Sequence, residues 1–222
     1  MQPYFFPNIG YYQLLNYVDI FIIYDDVNYI NRGWIDRNYI NFFNEKIPIK
    51  IPLVKKSQNK LISNTEILNN DEWKTNIIQK LSLYYKANTN FKENLQFFQD
   101  ILFHEDKNLA NFLTNSINKF AERFSINTQI KRSSELKNNK SLSGEEKILE
   151  ICKIINASEY INLYSGSKLY TKKNFEKSNL KLSFIKTLKS VDDDINYSFS
   201  IIDLIFKNSF RLNKHLNNFE LV

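Results

Sequence analysis

Apolar positions change their spacing several times along these 222 residues, and each change predicts an element. Tyr11, Leu14, Leu15 and Val18 recur at helical intervals, so a short helix is expected there, ended by Asp19. Ile20 to Tyr24 is an unbroken apolar run of strand length, as in strands buried on both faces, and it delivers Asp25 and Asp26 at its carboxyl end. From Ile47 to Val54 the apolar residues alternate. Pro48 and Pro52 lack a ladder donor, which confines that segment to a sheet edge.

Three helical stripes follow. The first, capped by Asn70 or Asp71, carries Trp73, Ile77, Leu81 and Tyr85. The second carries Phe91, Leu95, Phe98 and Leu102, and the third Leu109, Phe112, Leu113, Ile117, Phe120 and Phe124. Strand patterns then return at Thr128–Arg132, Tyr160–Tyr164 and Leu180–Ile185. Between the first two, Ser143 to Glu146 reads as a capping box opening a helix. Helical patterns close the chain at Ser200–Phe206 and, weakly, from Leu212 onward. The expected fold is α/β: one domain over 1–222, a Rossmann-like and mainly parallel sheet, and an all-helical insertion at 70–125.

Charge alters this picture little. The net charge is +6, but the lysines are interleaved with acids throughout, so a solvated surface is expected and a nucleic-acid groove is not. An anionic small molecule such as a nucleotide stays open as a partner. Cys152 is the single cysteine, which rules out an intrachain disulfide and a paired-cysteine metal site. The two histidines, His104 and His215, lie far apart, so neither a metal centre nor Ser-His-Asp chemistry is expected. No run reaches the roughly 20 apolar residues of a membrane span, and the expected location is the cytoplasm.

Ligands of open α/β sheets bind beyond the carboxyl ends of the strands. Three segments are candidates for that position: the loop before the first helix, with Tyr4 and Gly10; the pair Asp25 and Asp26; and the small polar turn holding Ser165 and Gly166. Arg32, Trp34 and Arg37 lie in a stretch too polar for core, where arginine could grip phosphate and tryptophan could stack on a ring. Each feature also has a plainer reading. Adjacent acids after a strand commonly form a turn or cap, surface arginines commonly pair with acids, and Cys152 sits on an apolar helix face as core.

The words QPYFFPNIGYYQLL, VDIFIIYDDVNYINRGWIDRN and SIIDLIF, with the spacing from Tyr160 to Tyr170, resemble the WbqC-like protein family over nearly the whole chain. The resemblance implies a cytoplasmic bacterial protein of O-antigen, capsule or related surface-polysaccharide synthesis, with acyl or aminoacyl transfer to a nucleotide-linked amino sugar as its reaction. It marks Gln2, Tyr11 and Asn38 as further substrate-binding positions, and Ser200 and Asp203 as characteristic family positions later in the chain. Family members carry a few strand-forming residues ahead of the Gln-Pro pair, whereas this sequence starts at Met1, so either the first strand is missing or the start is misassigned. Asp36 stands where the family usually has Asn and puts a negative charge beside Arg37.

A fainter similarity, to the nucleotidylyltransferase superfamily, rests on Asn8–Tyr11 standing where that group has its HxGH loop. Both histidines are replaced, so its adenylyl-transfer chemistry is not expected. The enzyme reading casts Asp25 or Asp26 as general base, needs no cofactor or metal, and leaves a homodimer open. The alternative is a non-catalytic sugar-nucleotide-binding or adaptor protein for a glycosyltransferase, using an exposed patch around Tyr4, Phe5 and Trp34.

Overall fold

The computed structural model describes residues 1–43, 45–192, 195–208 and 211–222. Helix α1 (Ile9–Tyr17) leads into β1 (Ile20–Ile23), as the periodicity predicts. The helix is buried from Ile9 to Leu15, on all sides rather than along one stripe, and even Gln13 is enclosed. The Gln13 amide survives there because it is satisfied: Nε2 donates to the carbonyls of His215 and Asn218, and Oε1 accepts from Thr187.

Next comes a hairpin, β2 (Arg37–Phe42) against β3 (Glu45–Lys50), followed by the short antiparallel pair β4 (Leu53–Val54) and β5 (Glu66–Ile67). Among the described residues strand β3 pairs only with β2, in keeping with its proline. Helices α2 (Glu72–Tyr85), α3 (Phe91–Leu102) and α4 (Leu109–Arg123) occupy the expected helical block. Their apolar faces enter the same core as α1 and the opening loop. Phe6 of that loop meets Phe98 and Phe120 edge-on, with ring centroids 5.4 and 5.9 Å away.

Strand β6 (Gln129–Arg132) returns parallel to β1. Helix α5 (Gly144–Ile154) precedes β7 (Glu159–Leu163), and α6 (Lys172–Lys177) precedes β8 (Lys181–Thr187), which is parallel to β7. Ser143 occupies the N-cap position of α5, but its side chain makes no capping bond, so the expected capping box is not formed. The chain closes with α7 (Ile201–Asn208), α8 (Leu212–Leu216) and β9 (Phe219–Leu221), antiparallel to β8.

The α/β class holds, but the single Rossmann-like sheet does not form. The parallel pairs β1–β6 and β7–β8 belong to separate sheets. Between β1 and β7 runs a groove of about 400 Å³, walled by Ile20, Ile22 and Tyr24 on one side and Cys152, Tyr160 and Ile161 on the other. The apolar interior divides in the same place. A second, small core of Cys152, Phe175 and Leu180 packs between α5, α6 and β7, apart from the main one.

Helix α7 is tied to the hairpin by Asp203, 2% exposed. Its carboxylate accepts the Asn41 N–H at 3.0 and 3.1 Å and the Tyr85 hydroxyl. Burial outweighs these bonds and pushes the Asp203 pKa up to about 6. A raised carboxyl pKa means that the folded state binds the proton more tightly than the unfolded one. Stability from this group is therefore greatest below its ordinary value of 3.8 and falls as the pH rises through about 6. Urea denaturation should show Asp203→Ala costing about 2–4 kcal/mol at pH 7, because two buried donors lose their acceptor. Asp203→Asn keeps an acceptor and is expected to stay within about 1 kcal/mol of wild type while abolishing the fall between pH 4 and 6.

Candidate functional site

Strands β1 and β6 end side by side, and the residues that follow them interlock. The Asp25 carboxylate is fully buried. Its Oδ2 accepts Arg132 Nε at 2.8 Å and Nη2 at 2.6 Å, and the Ser134 hydroxyl at 2.8 Å. Its Oδ1 accepts the Ser134 N–H at 3.0 Å and the Ser133 hydroxyl at 3.2 Å. Fully buried and held by Arg132 and Ser134, Asp25 joins the two strand ends and has no exposed face for a substrate.

Asp26 follows on a bend, and its carboxylate meets the same Ser133 hydroxyl from another side. It accepts Lys140 Nζ at 2.8 Å, Lys147 Nζ at 2.9 Å and the Ser133 hydroxyl. Lys147, on α5, is 2% exposed and also donates to the Asp26 carbonyl, whereas Lys140 reaches in from solvent. Burial pushes the Asp26 carboxyl up, but the bonds from Lys140, Ser133 and Lys147 outweigh it and hold the pKa at about 2.

Beside this ion cluster lie phenols from both halves of the molecule. The Tyr24 ring stands 5.6 Å from Lys147 Nζ. Its pKa is pushed up by burial first, then by the charge of Asp26 and the Tyr170 phenol. Tyr170 bonds the Tyr160 hydroxyl and the Asn162 amide of β7. Burial and then Tyr170 also raise the pKa of Tyr4, whose ring lies 5.8 Å from Tyr11. The Tyr11 hydroxyl in turn donates to the Gln2 carbonyl. Two buried polar atoms here have no partner among the described residues: the Tyr24 hydroxyl and Asn138 Oδ1. Asn138 donates through Nδ2 to the Ser133 carbonyl, which places it against the same cluster. Paired donors and acceptors are the rule in a protein interior, so two orphans around one ion cluster suit a site completed by a ligand.

The sequence candidates thus divide. Gln2, Tyr4 and Tyr11 come together, Asp26 is linked to Tyr4 only through Tyr24 and Tyr170, and Gly166, on a 3-10 turn over Tyr164–Leu169, sits against Asn162. Ser165 is exposed on that turn, and a Cβ at Gly166 would meet Asn162 at an ordinary 3.8 Å. Gly10 serves a different close approach: a Cβ there would come 2.9 Å from Thr187 Oγ1, so its lack of a side chain lets α1 pack on the end of β8. With Ile9 and Gly10 buried, the first turn of α1 faces protein.

Arg37 and Lys56 form a second cluster around the buried Asp36, which takes Arg37 Nε at 3.1 Å and Lys56 Nζ at 3.0 Å. Those bonds hold the Asp36 carboxyl below its usual value against the opposing effect of burial. The Arg37 fork is thereby engaged by its neighbour, while Arg32 is exposed. Trp34 is 46% exposed, with its ring edge-on to Tyr39. Asn38 clamps the opening loop, donating to the carbonyls of Phe5 and Phe6 at 3.1 and 2.7 Å.

Sequence reasoning missed Arg132, Ser133, Lys140, Lys147 and Tyr24. Lys147 alone left a trace, as a cation on the otherwise apolar side of α5. Among the described residues no group of three His, Cys, Asp or Glu side chains is placed to hold a metal ion, and no helix is long and apolar enough to cross a membrane.

The model of the WbqC-like protein family matches residues 2–214. A Mycobacterium tuberculosis (strain ATCC 25618 / H37Rv) protein described as "Uncharacterized protein Rv1507c" is 24% identical over 214 residues, covering 93% of this chain and 91% of that one. No solved structure matches.

The two acids should separate in experiment. Asp25→Ala strands the Arg132 guanidinium, which is expected to cost about 3 kcal/mol in urea denaturation at pH 7. The lowered Asp26 pKa contributes stability that is present above the ordinary value of 3.8 and lost as the pH falls towards about 2. Asp26→Asn should flatten that acid limb, and Asp25→Ala should leave it in place.

Proposed function

The chain belongs to the WbqC-like protein family, and from that premise we propose that it binds a nucleotide-linked amino sugar at the carboxyl ends of β1 and β7. There it transfers an acyl or aminoacyl group to the sugar amine, as a step of bacterial surface-polysaccharide synthesis. The observation that carries this reading is the unpartnered Tyr24 hydroxyl beside the Asp26–Lys140–Lys147 cluster. A sugar phosphate supplies what such a place lacks: anionic oxygens for an ammonium and acceptors for a phenol. Tyr4, Tyr24 and Tyr170 offer aromatic faces to the sugar ring.

In the proposed reaction the free amine attacks the donor's carbonyl carbon. A C–N bond forms, the donor's leaving group departs with its electron pair, and the ammonium proton passes to Asp26. A carboxylate held at about 2 is a poor base near neutrality. Lys140 is the lever. It is the exposed member of the cluster, and a ligand phosphate that draws it away removes the largest influence lowering the Asp26 pKa. Phosphate binding thus raises the Asp26 pKa towards that of a usable base, with Lys147 and the Ser133 hydroxyl still bound to it.

The adaptor reading needs Tyr4, Phe5 and Trp34 on one open face. Phe5 is 0% exposed and Tyr4 is half-buried, which leaves Trp34 without that company.

Calorimetric titration with UDP-glucosamine, UDP and glucosamine tests the proposal. Binding should require both halves of the ligand. Lys140→Met should weaken it at least about tenfold, the scale of a lost charge-assisted hydrogen bond, and Tyr24→Phe by a smaller factor with the fold intact. Absence of binding to all three probes, or affinities untouched by both substitutions, would sink it.

A further inference from the structure

Positive charge gathers in one segment, contrary to the interleaving expected along the whole chain. Residues 27–61 carry seven Lys or Arg against Asp36 and Glu45, so five of the chain's six net positive charges fall there. The two acids mask little of it. Asp36 is fully buried and bonded by Arg37 and Lys56, and Glu45 stands opposite Phe42 at the turn end of the hairpin. We propose that this segment is a membrane-docking face: the outer side of the β2–β3 hairpin, with the turn over residues 30–33, rests on a bilayer that carries anionic headgroups.

The strand register builds the face. Arg37 lies opposite Lys50 and Tyr39 opposite Pro48, so these four side chains share one side of the hairpin, while Asn38, Ile40 and Ile49 are buried on the other. Trp34 adjoins the outer side, its ring 6.1 Å from that of Tyr39. The turn before it closes with the Gly33 N–H on the Ile30 carbonyl and leaves Arg32 exposed. Ile30 is 50% exposed and Trp34 46%. Lys56 joins through its bond to Asp36. Two exposed apolar side chains thus stand among four cations, Arg32, Arg37, Lys50 and Lys56.

That mixture selects the partner. Surfaces that lie on a bilayer put tryptophan and aliphatic side chains into the headgroup layer, while lysine and arginine answer its negative potential. A nucleic acid would use the cations and the tryptophan ring but gains nothing from an exposed Ile30. Arg37 and Lys56 are already bonded to Asp36, so they offer charge rather than a free grip on a single phosphate. Diffuse attraction to many headgroups requires no more than that charge.

Sedimentation of the full chain with lipid vesicles tests the proposal. The protein should pellet with phosphatidylcholine vesicles containing about one third phosphatidylglycerol, stay in solution with phosphatidylcholine alone, and be released at about 0.5 M salt. Tryptophan emission should shift to the blue on binding, a signal that reports Trp34 because Trp73 is already buried. Trp34→Phe should abolish the shift. Arg32→Gln and Lys50→Gln should each weaken binding about fivefold with the thermal midpoint unchanged, whereas Lys173→Gln, exposed on α6, should leave binding as it is. Failure to pellet with the anionic vesicles, binding without a blue shift, an equal loss from Lys173→Gln, or tighter binding to a DNA duplex than to the vesicles would overturn it.

Discussion

A loop that enters a protein core must bring partners for its own backbone, and much of this structure answers that demand for residues 2–8. Phe5 and Phe6 are both fully buried, and each side chain is worth about 1.5–3 kcal/mol of burial. Their peptide groups go in with them. The Phe5 N–H reaches the Trp34 carbonyl, and both carbonyls accept from Asn38. The Phe6 carbonyl also takes the Ser200 hydroxyl, and that of Pro7 takes the N–H of Ile201. Phe6 is held at a φ of 43°, a left-handed conformation that a bulky residue adopts only when its surroundings fix it. The surroundings are β2 and the start of α7, and Asp203 binds these two to each other.

The same demand explains which elements were legible. Helices α2, α3 and α4 declare themselves because their apolar faces repeat at the helical period and meet one core. Strands β1, β7 and β8 read correctly as apolar runs. Strand β2 does not, because Asn38 and Asn41 occupy inward positions where a strand pattern calls for apolar residues. The Asn38 side chain faces inward to serve the Phe5 and Phe6 carbonyls, and the Asn41 N–H meets the Asp203 carboxylate, partners that lie far away in sequence. A local pattern cannot announce a partner 162 residues distant, which is the separation between Asn41 and Asp203.

The candidate site was half legible for a related reason. That β1 would present acids at its carboxyl end followed from the run Ile20–Tyr24. The division of labour between them depended on Arg132, Ser133 and Lys147, which the fold brings in from more than 100 residues away. Gly10 shows the converse limit. Its small size was read correctly as permitting a close approach, but what approaches is Thr187 of the same chain. A glycine reports that space is short and cannot say for whom.

The two halves of the site stand on opposite sides of the groove. Asp26 and Tyr24 follow β1, in the sheet with β6, while Tyr170 and Asn162 belong with β7 and the small second core. Among the described residues no hydrogen-bonded ladder joins these halves, while α1 packs on β7 and β8 where Gly10 allows it. The Tyr24 and Tyr170 phenols are thus carried by separate sheets, with no paired strands to fix their spacing. Whatever occupies the groove therefore acts on the site as well. It would fix the distance between the ion cluster and the phenols of β7, and with it the length of ligand that can touch both.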